Sequence, residues 1–182
     1  MRLLILSLAL LAGLGTTIFA QSKLPKQATF NYGKSVIDEI LPEGFAYNPL
    51  TFLAAAHLFT LGPFSIYNEM QFTQAFNPIK NLVDYEFGLN AGLKYHLGLT
   101  PTFEINASIA SGPHFISVQT RRQADGFIFS DNVEVGFSYF MPTARTTINA
   151  KARFRHISNA GLQSPNGGID NLFVVIGLGS TF

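Results

Sequence analysis

The sequence contains no cysteine, and its positive and negative charges nearly balance. Without cysteine, no disulfide can stabilise the fold. The chain has 12 Lys+Arg and 11 Asp+Glu, and omitting Arg2 leaves 11 of each, a net charge of zero. Because binding to nucleic acid relies on excess positive charge, we expect no nucleic-acid partner. After residue 20, the chain also lacks the run of ~20 apolar residues that a membrane-spanning helix needs.

The first 20 residues have the pattern of a secretory signal peptide. A basic residue, Arg2, precedes the apolar run Leu3–Leu14, and small residues follow up to Ala20. The run is too short for an anchor helix, which is the other interpretation of such a segment. We therefore expect residues 1–20 to be a signal peptide and residues 21–182 to form one domain.

Segments in which apolar and polar residues alternate make up much of the remaining chain. The alternation is clearest over residues 83–97, 147–158 and 172–182. In the first of these segments, the odd positions are mostly apolar and the even positions mostly polar. A period of two predicts β-strands that have one apolar and one polar face. With 18 Phe among 182 residues, the apolar faces are rich in aromatic side chains.

Less regular segments complete a set of eight predicted strands. These lie at 49–60, 64–76, 101–112 and 126–141, with a first strand somewhere in 27–48. Turn-forming dipeptides mark several boundaries, namely Gly62-Pro63, Asn77-Pro78, Thr100-Pro101, Gly112-Pro113 and Met141-Pro142. Segments of about ten residues separated by turns are typical of strands that span a membrane.

Charged residues of both signs on the polar faces help to distinguish a membrane barrel from a soluble β-sandwich or lipocalin. They are Glu69, Glu86, Glu104, Glu134, Lys94, Lys151, Arg153 and Arg155. A soluble fold would expose these charges and bury the Phe-rich faces. The export signal and the C-terminal Phe182, which resembles the assembly signal of bacterial outer-membrane barrels, favour a membrane barrel. In such a barrel the Phe-rich faces point outward and the charges point inward. We predict an all-β fold, an eight-stranded antiparallel transmembrane β-barrel whose polar interior is filled with paired side chains.

The pair His156 and Ser158 is the strongest candidate for chemistry. Residues i and i+2 of a strand share a face and stand ~6.6 Å apart along it, so His156 could act as general base for a Ser158 nucleophile. A His near the membrane interface followed by a turn is the alternative interpretation. The location favours function, because polar groups on a lipid-facing surface are costly and tend to be functional.

Asp170 is predicted to supply the third group of a Ser–His–acid site. It has the parity of Val174 and Phe182, and a hairpin centred near Gln163 would place it opposite His156, where a carboxylate can fix the imidazole tautomer. Asn159 is the best side-chain candidate for an oxyanion donor. Backbone N–H groups from Asn159 to Gly161 are further candidates.

The residues Arg155-His156-Ile157-Ser158-Asn159-Ala160-Gly161, followed by Pro165-Asn166-x-Gly168-Ile169-Asp170, resemble the signature of the lipid A 3-O-deacylase (PagL-like, acyloxyacyl hydrolase) family. The motif covers about the last 30 residues. The resemblance implies an eight-stranded outer-membrane barrel that removes the ester-linked acyl chain at position 3 of lipid A. It also implies His156 as base, Ser158 as nucleophile, and Asn159 with Gly161 near the oxyanion hole.

One residue departs from the family pattern. The acid is typically Glu, whereas this chain has Asp170, which is shorter by one methylene, roughly 1.5 Å. A non-catalytic barrel that kept the fold while the acid changed is therefore one alternative. A phospholipase A-like esterase is another, since those enzymes share a His-x-Ser-Asn run, but they are larger twelve-stranded barrels.

Topology indicates where the site meets its substrate. If both termini face the periplasm, the connection between the last two strands faces the cell exterior. The outer leaflet of a Gram-negative outer membrane holds lipopolysaccharide, so we expect lipid A as the membrane partner. A homodimer is also compatible with the sequence.

The remaining histidines and the basic loop receive simpler interpretations. We expect His57 to be structural, His96 to belong to the polar interior and His114 to lie in a turn. Because no histidine has metal-ligand spacing with acids, we predict no metal and no cofactor. Arg121 and Arg122 are expected in a solvated outer loop, with phosphate binding as the functional alternative.

Overall fold

Eight antiparallel strands form a closed barrel in a computed structural model that describes residues 27–182. The strands are β1 (Gln27–Asp38), β2 (Pro49–Leu61), β3 (Phe64–Asn77), β4 (Leu82–Thr100), β5 (Phe103–Ile116), β6 (Gly126–Phe140), β7 (Thr146–Ser158) and β8 (Ile169–Thr181). Each strand pairs with the next in sequence, and β8 pairs with β1 to close the barrel. The predicted signal peptide, residues 1–20, lies outside the described residues. Nowhere in residues 27–182 is there a helix with the length and apolarity to traverse a bilayer.

The connections differ in length between the two ends of the barrel. At one end, three long loops span residues 39–48, 117–125 and 159–168, beside a short turn at 78–81. At the other end, the turns span only residues 62–63, 101–102 and 141–145. We call these the long-loop end and the short-turn end. Gly62 has a φ of 56°, so the first short turn uses the left-handed conformation that glycine tolerates best.

Apolar side chains cover the outside of the barrel, as the alternation predicted. On β4, for example, Tyr85, Phe87 and Leu89 are exposed, whereas Asp84 and Glu86 are buried. The other strands repeat this inside-out pattern. A continuous apolar belt of this kind is unfavourable in contact with water. The outer surface is therefore suited to contact with lipid.

Ion pairs fill the barrel interior. Arg153 contacts Glu69 at 2.6 Å, Arg155 contacts Glu86 at 2.7 Å, and Lys151 contacts Glu134 at 2.7 Å. Both arginines are at most 1% exposed, so each depends on a partner carboxylate for compensation of its charge. His96 also lies inside, as expected, and contacts Glu104 at 2.9 Å.

Strand β5 is longer than predicted, which corrects the assignment of His114 to a turn. The strand continues through Gly112-Pro113 to Ile116, and His114 is a buried strand residue that contacts Glu86 at 2.7 Å. Pro113 is tolerated because its missing N–H falls on the β4 side, where the pairing is interrupted, while its pairing with Phe129 on β6 continues.

Candidate active site

His156 and Asp170 form a hydrogen-bonded pair on the outer wall of the barrel. The β7–β8 register places them opposite each other, and His156 Nδ1 lies 2.7 Å from Asp170 Oδ1. A carboxylate only accepts hydrogen bonds, so Nδ1–H donates and Nε2 of the neutral ring is left as an acceptor. The pair thus fixes the tautomer that a general base needs.

Both side chains face the lipid side. They are 39% and 47% exposed, and they share their face with the exposed Phe154 and Val174. Their neighbours in sequence, Arg155 and Asn171, point inward and are buried. The alternation of the strand therefore separates this pair from the interior charges, although only one residue lies between them.

Ser158 lies at the end of β7, two residues beyond His156, and is half-buried. Among the described residues, the Ser158 hydroxyl and the imidazole make no hydrogen bond. The Nε2 edge of His156 nevertheless points toward Gly168. A Cβ built on Gly168 would lie 3.0 Å from Nε2. Gly168 precedes Ile169, whose partner is Ile157, so it lies two residues beyond the His156–Asp170 pair, at the level of Ser158.

Asn159 and Gly161 are engaged within the loop. Asn159 is 1% exposed, and its Nδ2 donates to the carbonyls of Gln163 at 2.8 Å and Pro165 at 3.4 Å. Gly161 N–H donates to Asn159 Oδ1 at 3.1 Å. Both donors therefore have partners within the loop, and their oxyanion role stays a prediction. Asn side chains often bond nearby backbone in this way at the ends of strands and helices.

The residue between them has a different environment. Ala160 is exposed and has a φ of 53°, and its N–H has no acceptor within residues 27–182. It follows Asn159 directly, so it lies two residues from the Ser158 hydroxyl. A backbone N–H without a partner, close in sequence to a serine hydroxyl, is the kind of donor that can stabilise a developing oxyanion.

Asp131 and Ser111 are polar residues of the outer wall that the sequence analysis did not identify. Asp131 pairs with His156 across β6 and β7, on the side opposite to Asp170, and accepts a hydrogen bond from Ser111 Oγ at 2.6 Å. The signal was available, because Asp131 interrupts the apolar positions Phe129, Val133 and Val135. Together with the His156–Asp170 pair, these residues form a polar row across four adjacent strands.

A groove of about 650 Å³ starts beside His156 on the outer wall. It crosses β6, β5 and β4 and reaches Ile66 on β3, and Ala91 contributes a small side chain to its lining. Its other apolar side chains are Leu93, Ile109, Ala110, Val133 and Phe154. The groove thus provides an apolar surface that ends at the imidazole.

A second Ser–His–acid set lies inside the barrel at the short-turn end. Ser65 Oγ is 2.7 Å from His96 Nε2, and His96 Nδ1 is 2.9 Å from Glu104 Oε1. Ser65 is only 1% exposed, so this set is closed to a lipid substrate. Accessibility from the lipid side therefore distinguishes the His156 site on the outer wall from this buried set.

A closed eight-stranded barrel with an apolar exterior and a polar interior defines the class of outer-membrane β-barrels, and the protein is located in the outer membrane. The family model described as Lipid A 3-O-deacylase (PagL) matches residues 56–179, more than half of the 182 residues. The chain belongs to this family. The matched range includes His156, Ser158 and Asp170.

Solved structures with the same fold include three outer-membrane proteins. The Neisserial surface protein A (NspA) has a TM-score of 0.59 at 14% identity, covering 86% of this chain and 96% of that one. The outer membrane enzyme PagL has a TM-score of 0.54 at 13% identity, covering 83% and 97%. The N-terminal barrel of Pseudomonas aeruginosa OprF also has a TM-score of 0.54 at 13% identity, covering 88% and 100%. A search of curated proteins found no match.

Proposed function

We propose that the protein is a serine esterase that removes the acyl chain ester-linked at position 3 of lipid A. The observation that carries this proposal is the outward His156–Asp170 hydrogen bond of 2.7 Å, beside Ser158, in a member of the lipid A 3-O-deacylase family. In this scheme Ser158 is the nucleophile, His156 the general base and Asp170 the acid that orients it.

The reaction proceeds in two steps. His156 Nε2 takes the proton of the Ser158 hydroxyl as Oγ attacks the ester carbonyl, and the protonated imidazole returns it to the departing sugar oxygen. Water then attacks the acyl-enzyme, giving a proton to His156, and the fatty acid leaves as Ser158 Oγ regains a proton. In this scheme substrate binding brings Ser158 Oγ and His156 Nε2 into hydrogen-bonding contact. Catalytic hydrogen bonds often form only in the enzyme–substrate complex.

The N–H of Ala160 is the backbone donor that we assign to the oxyanion. Its neighbours support this role indirectly, since Asn159 holds the turn through Gln163 and Gly161. Asn159 then acts as a positioning residue, and the predicted oxyanion hole is formed by the main chain of its loop.

The site lies at the depth where an outer-leaflet ester would be found. Outer-membrane barrels have short periplasmic turns and longer extracellular loops, so the long-loop end faces the exterior. Ser158 is the last residue of β7 at that end, next to the loop 159–168. The apolar groove beside His156 provides a surface for the acyl chain, while the sugar lies nearer the loops.

Mass spectrometry of lipid A from cells that express the protein tests the proposal. We expect loss of one ester-linked acyl chain with the wild type and an unchanged lipid A with Ser158→Ala. Ser65→Ala is the matched control, because it removes the serine of the buried interior set and should leave the activity intact.

The same experiment separates the alternatives. Unchanged lipid A in cells where an authentic deacylase removes a chain would support a non-catalytic barrel. Release of fatty acid from phospholipid vesicles, with lipid A intact, would support a phospholipase. Either result, obtained with a barrel that shows normal heat-modifiable migration, rules out the proposed reaction.

A further inference from the structure

Three loops of the long-loop end meet behind the His156–Asp170 pair. Glu39 follows β1, Arg122 lies in the loop between β5 and β6, and Gly167-Gly168 precede Asp170. Backbone hydrogen bonds join the second and third loops, from Gly167 N–H to Arg122 O at 2.6 Å and from Ala124 N–H to Pro165 O at 2.9 Å. The segment that precedes Asp170 is therefore fixed to the loop between β5 and β6.

Arg122 binds the backbone just before the acid. Its Nε donates to the carbonyl of Gly168 at 2.8 Å and approaches that of Gly167 at 3.2 Å, while Nη1 contacts Glu39 Oε1 at 2.6 Å. A Cβ on Gly167 would lie 2.6 Å from Arg122 Cγ, so the Arg122 side chain occupies the space that a larger residue would need at this position. The planar guanidinium can serve these acceptors together, which a lysine ammonium cannot do in the same geometry.

Glu39 completes the arrangement. While one carboxylate oxygen accepts from Arg122, the other, Oε2, accepts the backbone N–H of Asp170 itself at 2.8 Å. The side chain of Glu39 is only 16% exposed. This carboxylate thus links the acid residue to the arginine that holds Gly168, and Gly168 in turn packs against the imidazole edge of His156.

We propose that Glu39 and Arg122 are positioning residues, which hold Asp170 and Gly168 in register with His156. The proposal rests on the proposed esterase function and adds two residues from distant loops to its site. Neither side chain touches the reacting atoms. Their effect passes through the backbone of residues 167–170, whose displacement by about 1 Å is enough to lower turnover strongly.

The test uses Arg122→Lys and Glu39→Gln in the full-length barrel, with Arg121→Lys as matched control. The control side chain is exposed and forms no ion pair within the described residues. The probes are lipid A and a short-chain p-nitrophenyl ester, which has no phosphate. We expect both variants to lower kcat by about 10- to 100-fold on both probes with little change in KM, and the control to leave it unchanged.

Coupling to the acid distinguishes positioning from a general structural role. In an Asp170→Asn background, Arg122→Lys should lower kcat only a little further. Arg122 acts through the Asp170 carboxylate, which this background has already removed. Equal losses with and without Asp170→Asn would overturn the proposal. A loss confined to lipid A, through KM, would also overturn it and indicate that Arg122 binds a substrate phosphate.

A measurement that does not depend on activity can test the positioning role even if the esterase proposal fails. Imidazole ¹⁵N NMR, with the His156 signal assigned by His156→Asn, reports the proton on Nδ1 and its hydrogen bond to Asp170. We expect Arg122→Lys and Glu39→Gln to weaken this signature and Arg121→Lys to preserve it. An unchanged His156 signal in both variants would overturn the positioning role, even if the barrel hydrolyses no ester.

Discussion

At the residue scale, the shorter acid of this chain reaches its partner. Asp170 replaces the Glu that is usual in the family pattern, yet its carboxylate lies 2.7 Å from His156 Nδ1. The contact forms because the two residues are direct cross-strand neighbours. The missing methylene therefore does not separate the pair in this barrel.

Substitutions at Asp170 test the role of this contact. Asp170→Asn should lower kcat on the order of 10⁴-fold, because the amide no longer stabilises the imidazolium and favours the wrong tautomer. Asp170→Glu should retain activity within about tenfold, since the half-exposed side chain has room for a methylene. Ester hydrolysis by purified barrel measures both.

Asp131→Asn is the matched control for Asp170→Asn. The Asp131 carboxylate flanks His156 on the other side but accepts a hydrogen bond from Ser111. The substitution should therefore lower kcat by less than about tenfold. If the two asparagine variants lose equal activity, the acid of the site is not Asp170 alone.

Gly168 is a second sensitive position. Its φ is 69°, and a Cβ there would collide with the His156 ring. Gly168→Ala should cost about 1–2 kcal/mol in stability and displace the imidazole, lowering kcat at least tenfold. Gly62→Ala introduces similar backbone strain in open space at the short-turn end and should leave kcat unchanged. Equal kcat in the two variants would contradict this account.

At the element scale, the strands were predictable wherever one face is consistently apolar. The segment 83–97 lies within the observed β4, Leu82–Thr100, because every second side chain contacts lipid. The predicted end of β5 at Gly112 was wrong, since Pro113 can stay in a strand when its missing N–H faces the side on which pairing is interrupted. A turn dipeptide alone could not show which side is paired.

The candidate site was predictable only in part, for similar reasons. Parity placed His156, Ser158 and Asp170 on one face. The contacts of Asn159 depend on the backbone of its loop, which alternation does not describe. Glu39 lies 131 residues from Asp170 in sequence, and no local pattern relates the two.

The apolar groove allows a prediction about substrate length. Ala91→Phe should fill the groove where it crosses β4, so hydrolysis of long-chain esters should fall at least tenfold while short-chain esters are unaffected. Ala54→Phe on β2 is the control, because this exposed alanine lies outside the groove. A loss that does not depend on chain length would argue against acyl binding there.

At the scale of the whole molecule, the interior ion pairs hold the strands in one arrangement. Glu86 is buried and contacts both Arg155 and His114 at 2.7 Å. Glu86→Leu would leave the Arg155 charge without its carboxylate and should cost about 3–5 kcal/mol.

Urea unfolding of the barrel in detergent micelles measures this cost. Circular dichroism is the suitable probe, because the chain has no tryptophan for fluorescence. Lys80→Gln removes an exposed charge in the turn 78–81 and should change stability by no more than about 0.5 kcal/mol. A Glu86→Leu barrel as stable as this control would show that the interior pairs are dispensable.

If the His156–Asp170 pair acts on a lipid as proposed, its outward position also determines how substrate arrives. With the imidazole on the wall and not in a lumen, a lipid reaches it by lateral diffusion within the leaflet, without passing a channel or gate. Turnover should then follow the mole fraction of substrate in the surrounding surface and not its bulk concentration. Adding inert detergent at constant substrate would slow the reaction by surface dilution.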